Sequence, residues 1–331
     1  MVRLGKTRIM NSQILTGVIA ALGLMANFGL VDDVRAQDGH GDHAADHGHH
    51  HAAFESGRLH VRVDGEPGPG VREIILIPGL SSSPEIWQGT VDHLAQAPQG
   101  EGWRIHRIHI QGFAGAPAKG NAEGPVAAPV AEEIARYIAE NDLDHPVIVG
   151  HSMGGTIGLM LAARHPDAVG KLMVVDQIPF MGAMFGGPGA TAESVTPIAD
   201  QVYAGMANSP PDAYRAAAAT TVTGMVNNEQ ARPAVLADTA ASDQKVSSAA
   251  YRELIVTDLT PELARITAPT EVLYVKFNDA RMTPEITDAI YQGAFASLPG
   301  VELKRIHDSA HFIMLDQAAA FYSALDAFVA E

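Results

Sequence analysis

The sequence predicts an α/β protein with a mostly parallel central sheet, helices on both faces and an inserted block of helices. Three observations predict it. Short apolar runs alternate with amphipathic segments over most of the 331 residues, the rhythm that builds parallel sheets covered by helices. The run Glu73-Ile74-Ile75-Leu76-Ile77 shows no polar alternation, as expected of a central strand buried on both faces. The pentapeptide Gly150-His151-Ser152-Met153-Gly154 stands between an apolar run and a helix-forming stretch, a strand, a sharp turn and a helix in succession.

In chain order, Arg58 to Val63 alternates polar and apolar and places Leu59, Val61 and Val63 on one strand face. Residues 73–77 form the buried strand, Ile86 to Ala97 a helix, and Trp103 to Ile110 a third strand whose alternation slips between Ile105 and Ile108. Val130 to Glu140 reads as a helix with Ile134, Tyr137 and Ile138 on one stripe. Pro146 to Val149 leads into the turn at Ser152, and Lys171 to Val175 is the next strand. From 177 to 266 the rhythm changes to alanine-rich helical segments, so these residues are predicted to form a helical cap between two parts of the core, 57–176 and 267–331. The alternation resumes with the strand Glu271 to Val275, a helix from Pro284 to about Leu298, the strand Val301 to Ile306, and a closing helix from Gln317 to Val329.

Composition narrows the function classes. Hydrophobic residues make up 47% and charged residues 18%, enough apolar material for a large core. The net charge of -16 excludes nucleic acid as a partner, because phosphate binding needs clustered cations. Residues 1–36 carry a basic leader (Arg3, Lys6, Arg8), an apolar stretch from Ile14 to Leu30, and small residues at Val34-Arg35-Ala36. That is the pattern of a signal peptide cleaved near Ala36, which predicts a periplasmic or secreted protein touching the membrane only through this transient segment. With no cysteine the exported chain relies on its core and not on disulfides.

Residues 37–56 form a His-rich spacer, with His40, His43, His47, His49, His50 and His51 among Gly, Asp and Ala. Neutral imidazoles bind divalent transition metals, but a segment with so few apolar residues lacks the means to fix a tetrahedral site. His47, His49, His50 and His51 are therefore weak metal candidates, and no structural or catalytic metal is expected.

The chemistry centres on Ser152. A serine hydroxyl is a poor nucleophile unless a sharp turn exposes it to an imidazole on one side and to backbone amides on the other. Flanking glycines remove the side chains that would crowd such a turn. Ser152, Asp279 and His311 follow in the chain order Ser, Asp, His, and from about residue 57 onward the chain resembles the α/β-hydrolase superfamily. That resemblance implies an α/β-hydrolase fold with an inserted cap, Ser152 as nucleophile, and His311, just after the last predicted strand, as general base. It implies the acid at Asp279, in the loop after Glu271 to Val275 with Pro284 beyond; Asp176, at the end of the strand after the turn, is the alternative. His151 is expected to pack under the turn, and His106 and His109 to be structural.

The resemblance also implies an oxyanion hole. One donor is the Met153 amide and the other the Leu80 amide, in the loop Pro78-Gly79-Leu80-Ser81-Ser82-Ser83, where proline stands in place of the family's histidine. Gln111-Gly112-Phe113-Ala114-Gly115 is similar to a further turn of the family.

The expected activity is hydrolysis of a moderately hydrophobic carboxylic ester through an acyl-enzyme, without a cofactor. Lactone, amide or carbon-carbon bond hydrolysis and acyl transfer use the same parts. The competing class is a binding protein: an inactive hydrolase-like scaffold or a metal-handling envelope protein. Phe180, Met181, Met184 and Phe312 are the expected substrate-binding residues, because soft apolar side chains adapt to an acyl or aromatic group.

Overall fold

A computed structural model describes residues 54–96, 102–187, 189–276, 279 and 281–330. The leader at 1–36 and the histidines of the spacer lie outside the described residues. Seven strands form one sheet: β1 (Leu59–Asp64), β2 (Arg72–Ile77), β3 (Trp103–Ile110), β4 (Val147–His151), β5 (Lys171–Val175), β6 (Thr270–Val275) and β7 (Glu302–Ile306). Their spatial order is β1-β3-β2-β4-β5-β6-β7. β1 runs antiparallel to β3 and every other pair is parallel, as the alternation predicts.

The helices between strands cover both faces. They are α1 (Gln88–Leu94), α2 (Ala127–Glu140) and α3 (Met153–Arg164), and, after the cap, α9 (Pro284–Ala294), α10 (Ile313–Asp316) and α11 (Ala318–Ala330). Alternate residues of β2 divide between two cores, because successive strand side chains point to opposite faces. Ile75 and Ile77 pack with Val130, Ile134 and Ile157 of α2 and α3, whereas Ile74 and Leu76 pack with Val91, Phe321 and Leu325 of α1 and α11. The uninterrupted apolar run of β2 is the direct consequence.

The slip in the alternation of β3 has a physical cause. His106 and Arg107 are both fully buried, and each is satisfied by a polar cluster. His106 lies 2.6 Å from both the Tyr137 hydroxyl and Glu73 Oε2, while Arg107 donates to Asp64, Glu85 and Gln88. Buried charge persists where it is paired in this way.

Between β5 and β6 lie α4 (Ala183–Gly186), α5 (Ala192–Ala207), α6 (Pro211–Thr223), α7 (Arg232–Ala241) and α8 (Gln244–Val256). The first helix of the core begins differently from its prediction. A 3-10 turn at Pro84–Trp87 precedes α1, because Pro84 sets the first turn and the Ser83 side chain caps it.

Candidate active site

Ser152 sits between β4 and α3 with φ 53° and ψ -119°, a strained conformation for a residue with a side chain. The glycines on either side permit it. A Cβ on Gly150 would lie 2.1 Å from the Gly154 carbonyl oxygen, and one on Gly154 would lie 2.2 Å from that of Ile77. The turn is fixed from the neighbouring strand by the Ser152 amide, which donates to the Val175 carbonyl at 2.9 Å.

Asp176 follows β5 directly, one strand over from Ser152, and is also held at positive φ. Its carboxylate is buried and fully engaged. Oδ2 lies 2.6 Å from His311 Nδ1, and Oδ1 accepts from the Val275 amide at 3.1 Å and the Tyr291 hydroxyl at 3.0 Å. Burial and the adjacent carboxylate hold the Tyr291 phenol well above its usual range, so it stays a donor. With Nδ1 directed at Asp176, the opposite nitrogen of the His311 ring, Nε2, is the one left for a reacting group.

The expected acid is not the residue that meets the imidazole. Asp279 lies on the segment after β6 as predicted, but its carboxylate is bound by Arg281 through the backbone amide at 2.8 Å and the guanidinium at 3.1 and 2.8 Å. Those bonds lower its pKa, the backbone bond most. The Nδ1 side of His311 is already filled by Asp176, so the alternative acid holds the position assigned to Asp279.

His151 is completely buried beneath the turn. Its Nε2 donates to the His311 carbonyl at 3.1 Å, and its ring lies 4.6 Å from that of His311 and 4.5 Å from Phe312. Nδ1 has no partner among the described residues. Burial first, and the neighbouring His311 second, hold its pKa well below the usual value, so the ring is neutral. It braces the backbone of His311 and carries no charge into the site.

Of the two expected oxyanion donors, Met153 directly follows Ser152 and Leu80 lines the same cavity as Ser152. Met153 opens α3, where the first amides of a helix lack internal partners, and Leu80 lies on the loop after β2. Neither amide donates to another group among the described residues. Gly79 allows the loop to close on the turn, since a Cβ there would stand 3.0 Å from His151 Nδ1 and 3.1 Å from the Ser152 Cβ.

Ser152, His311, Asp176, Gly79 and Leu80 line one cavity of about 470 Å³, a size that suits a small organic ligand. No hydrogen bond links Ser152 Oγ to His311 among the described residues. In a ligand-free site such bonds are often long and tighten only around substrate.

Of the expected substrate-binding residues, Met181, Met184 and Phe312 line this cavity. Phe180 does not, because its ring packs into the core beside Gly182. Met206, Tyr214, Met225, Tyr251 and Leu254 also line it and were not anticipated. For all but Met225, which lies in the turn after α6, helical spacing signals a buried face, but only tertiary contacts decide whether that face meets a core or a cavity. Among the described residues no group of three or more metal-ligating side chains is present.

A model of the alpha/beta hydrolase fold matches residues 73–318. The chain belongs to this family of hydrolases. It is 30% identical over 122 residues, 37% of this chain and 43% of the other, to a protein named as the carbamate hydrolase RutD of Serratia proteamaculans strain 568. It is 25% identical over 126 residues, 38% of this chain and 44% of the other, to a pimeloyl-[acyl-carrier protein] methyl ester esterase of Salmonella heidelberg strain SL476. The chain thus spans less than half the length of these curated relatives. Its fold is similar to that of an enol-lactonase from Burkholderia xenovorans LB400, with a TM-score of 0.62 and 20% identity over 82% of this chain and 96% of that one.

Proposed function

We propose that the protein is a serine hydrolase that cleaves a carboxylic ester through an acyl-enzyme. Ser152 Oγ attacks the carbonyl carbon as His311 Nε2 takes its proton, and the Leu80 and Met153 amides receive the oxyanion. The proton passes from His311 to the leaving alkoxide, so an alcohol departs and the acyl group stays on Ser152. Water then gives a proton to His311 and attacks the acyl carbon; the acid leaves and Ser152 recovers its proton. Asp176 keeps Nδ1 protonated and stabilises the imidazolium that forms at each step.

The single observation that carries this reading is the 2.6 Å contact between Asp176 and His311 at the cavity that Ser152 lines. The esterase and carbamate hydrolase relatives support the same class, since ester and carbamate both offer a carbonyl carbon to a nucleophile. The test is turnover of a p-nitrophenyl ester series together with fluorophosphonate labelling. The expected result is labelling at Ser152 and a loss of about 10⁴-fold or more in kcat for Ser152→Ala. An unlabelled wild-type protein that turns over no ester would leave an inactive scaffold as the better account.

Export belongs to the same proposal, on the strength of the leader pattern at 1–36. Cell fractionation and the mass of the mature chain test it, with cleavage near Ala36 expected. Weak divalent-metal binding by His47, His49, His50 and His51 is tested by zinc titration of the full chain against one lacking 37–53.

A further inference from the structure

The cavity beside Ser152 is mainly apolar, with Met181, Met184, Met206, Met225 and Leu254 in its walls. Polar side chains interrupt that lining, among them Thr221, Thr239 and, from α8, Tyr251. Ser247, Tyr251 and Leu254 are spaced four and three residues apart and so share one side of the helix. Ser247 is fully buried, with its Oγ 2.8 Å from Ser81 Oγ, next to Leu80 in the oxyanion loop. Tyr251 lies one turn further on, about 6 Å along the axis at 1.5 Å per residue. Long side chains on a helix lean back toward its N-terminus, so the Tyr251 ring is expected to lie on the side of α8 that faces Ser247 and that loop.

The Tyr251 hydroxyl has no hydrogen bond among the described residues, and it is not one of the sealed polar atoms without a partner. The residue lines the cavity, and desolvation pushes its phenol far above the usual range. The hydroxyl has no protein partner among the described residues and belongs to a residue that lines the cavity, so it is available to a ligand there. A donor in that state is costly to leave unmet, and a ligand oxygen would meet it.

We infer that Tyr251 is a specificity-determining residue that donates a hydrogen bond to an oxygen on the acyl chain, so that the preferred substrates are esters of hydroxy or oxo acids with an otherwise apolar chain. The substituent lies within a few carbons of the scissile carbonyl, because Tyr251 leans toward the loop that would hold the oxyanion. The methionine walls take the remainder of the chain. The inference rests on the ester-hydrolase reading above and specifies which ester. Sites built to bond a substrate oxygen reject the analogue that lacks it more sharply than apolar pockets discriminate by size.

The test compares kcat/KM for methyl octanoate, methyl 3-hydroxyoctanoate and methyl 3-oxooctanoate, in wild type and Tyr251→Phe. The ratio of oxygenated to plain ester in wild type, divided by the same ratio in the variant, cancels intrinsic reactivity. That quotient is expected to be about ten, the size of one neutral hydrogen bond. A quotient of one overturns the inference.

Thermal shifts of the wild-type protein with octanoate and 3-hydroxyoctanoate read the same contact without turnover or substitution. A larger shift with the hydroxy acid is expected, and equal shifts overturn the inference. Failure of the broader reading would look different: no ester turned over and no fluorophosphonate label at Ser152.

Discussion

At the scale of single residues, the choice between Asp176 and Asp279 decides how the imidazole is oriented. Asp176 is buried and bonded to His311, Val275 and Tyr291, whereas Asp279 is committed to Arg281. Replacing the carboxylate beside Nδ1 by an amide favours the wrong tautomer and removes the charge that stabilises imidazolium. Asp176→Asn is therefore expected to lower kcat by about 10³ to 10⁴-fold. Asp279→Asn is expected to stay within about two- to three-fold of wild type, since it breaks only an ion pair at the surface. Steady-state kinetics on one p-nitrophenyl ester compares the two, and equal losses would remove Asp176 from the proposed triad. The positions of Ser152 and His311 were legible because short motifs carry them: glycines encode the turn, and the histidine follows the last strand. The acid was not so legible, because each aspartate follows a strand of the sheet, Asp176 directly and Asp279 a few residues on, and the selection depends on β5 lying beside β6 and on Tyr291 arriving from α9.

At the scale of elements, the cap is bonded to both loops that border the hydroxyl. Ser83, in the loop after β2, donates from its amide and its hydroxyl to Asp238 Oδ2 on α7, at 2.9 and 2.6 Å. On the other side, the Phe312 amide donates to the Met225 carbonyl, and Asp316 accepts from the amides of both Asn228 and Ala310 at 2.8 Å. These bonds brace a loop in which Pro78 replaces the histidine expected from the resemblance. Asp238→Ala is expected to reduce kcat about ten-fold while KM changes little, because an amide misplaced by a fraction of an ångström is felt mainly in the transition state. Affinity for a trifluoromethyl ketone should fall in parallel, whereas a purely structural loss would lower the active fraction and leave that affinity intact. The cap is also anchored to the core through Glu253 of α8, whose buried carboxylate accepts from the Val126, Ala127 and Ala128 amides at 2.6, 2.7 and 2.9 Å. An anion at the start of a helix satisfies its orphan donors and its dipole together. Removing it in Glu253→Ala should cost about 2 to 3 kcal/mol, read as a lower denaturant midpoint. None of these ties was visible in the sequence, where Asp238 and Glu253 look like ordinary polar residues of alanine-rich helices, and their partners lie more than a hundred residues away.

At the scale of the whole molecule, the mostly parallel sheet and its helical layers followed from patterning, because buried strands announce themselves by composition, whereas the strand order did not. What patterning hides is the polar interior. Among the described residues two histidines are buried, among strands and turns: His151 under Ser152 and His106 between Glu73 and Tyr137. Burial lowers the pKa of each, strongly for His151; for His106 the Glu73 bond opposes the shift without cancelling it. In the unfolded chain both return to about 6.5. Between that value and the lowered folded values the unfolded state binds more protons than the native one, so the free energy of unfolding must fall as pH falls. The stability these residues contribute is complete above about pH 7.5 and is lost progressively below 6.5. Each histidine adds up to about 1.4 kcal/mol per pH unit to the slope. His151→Gln keeps a donor for the His311 carbonyl and removes one titrating group. Urea unfolding of wild type and variant from pH 5 to 8 should give parallel curves above pH 7.5, and below 6.5 a slope in the variant shallower by about that amount per unit. Superimposed slopes throughout would mean that His151 takes up its proton in the native state, and the neutral brace beneath Ser152 would have to be abandoned.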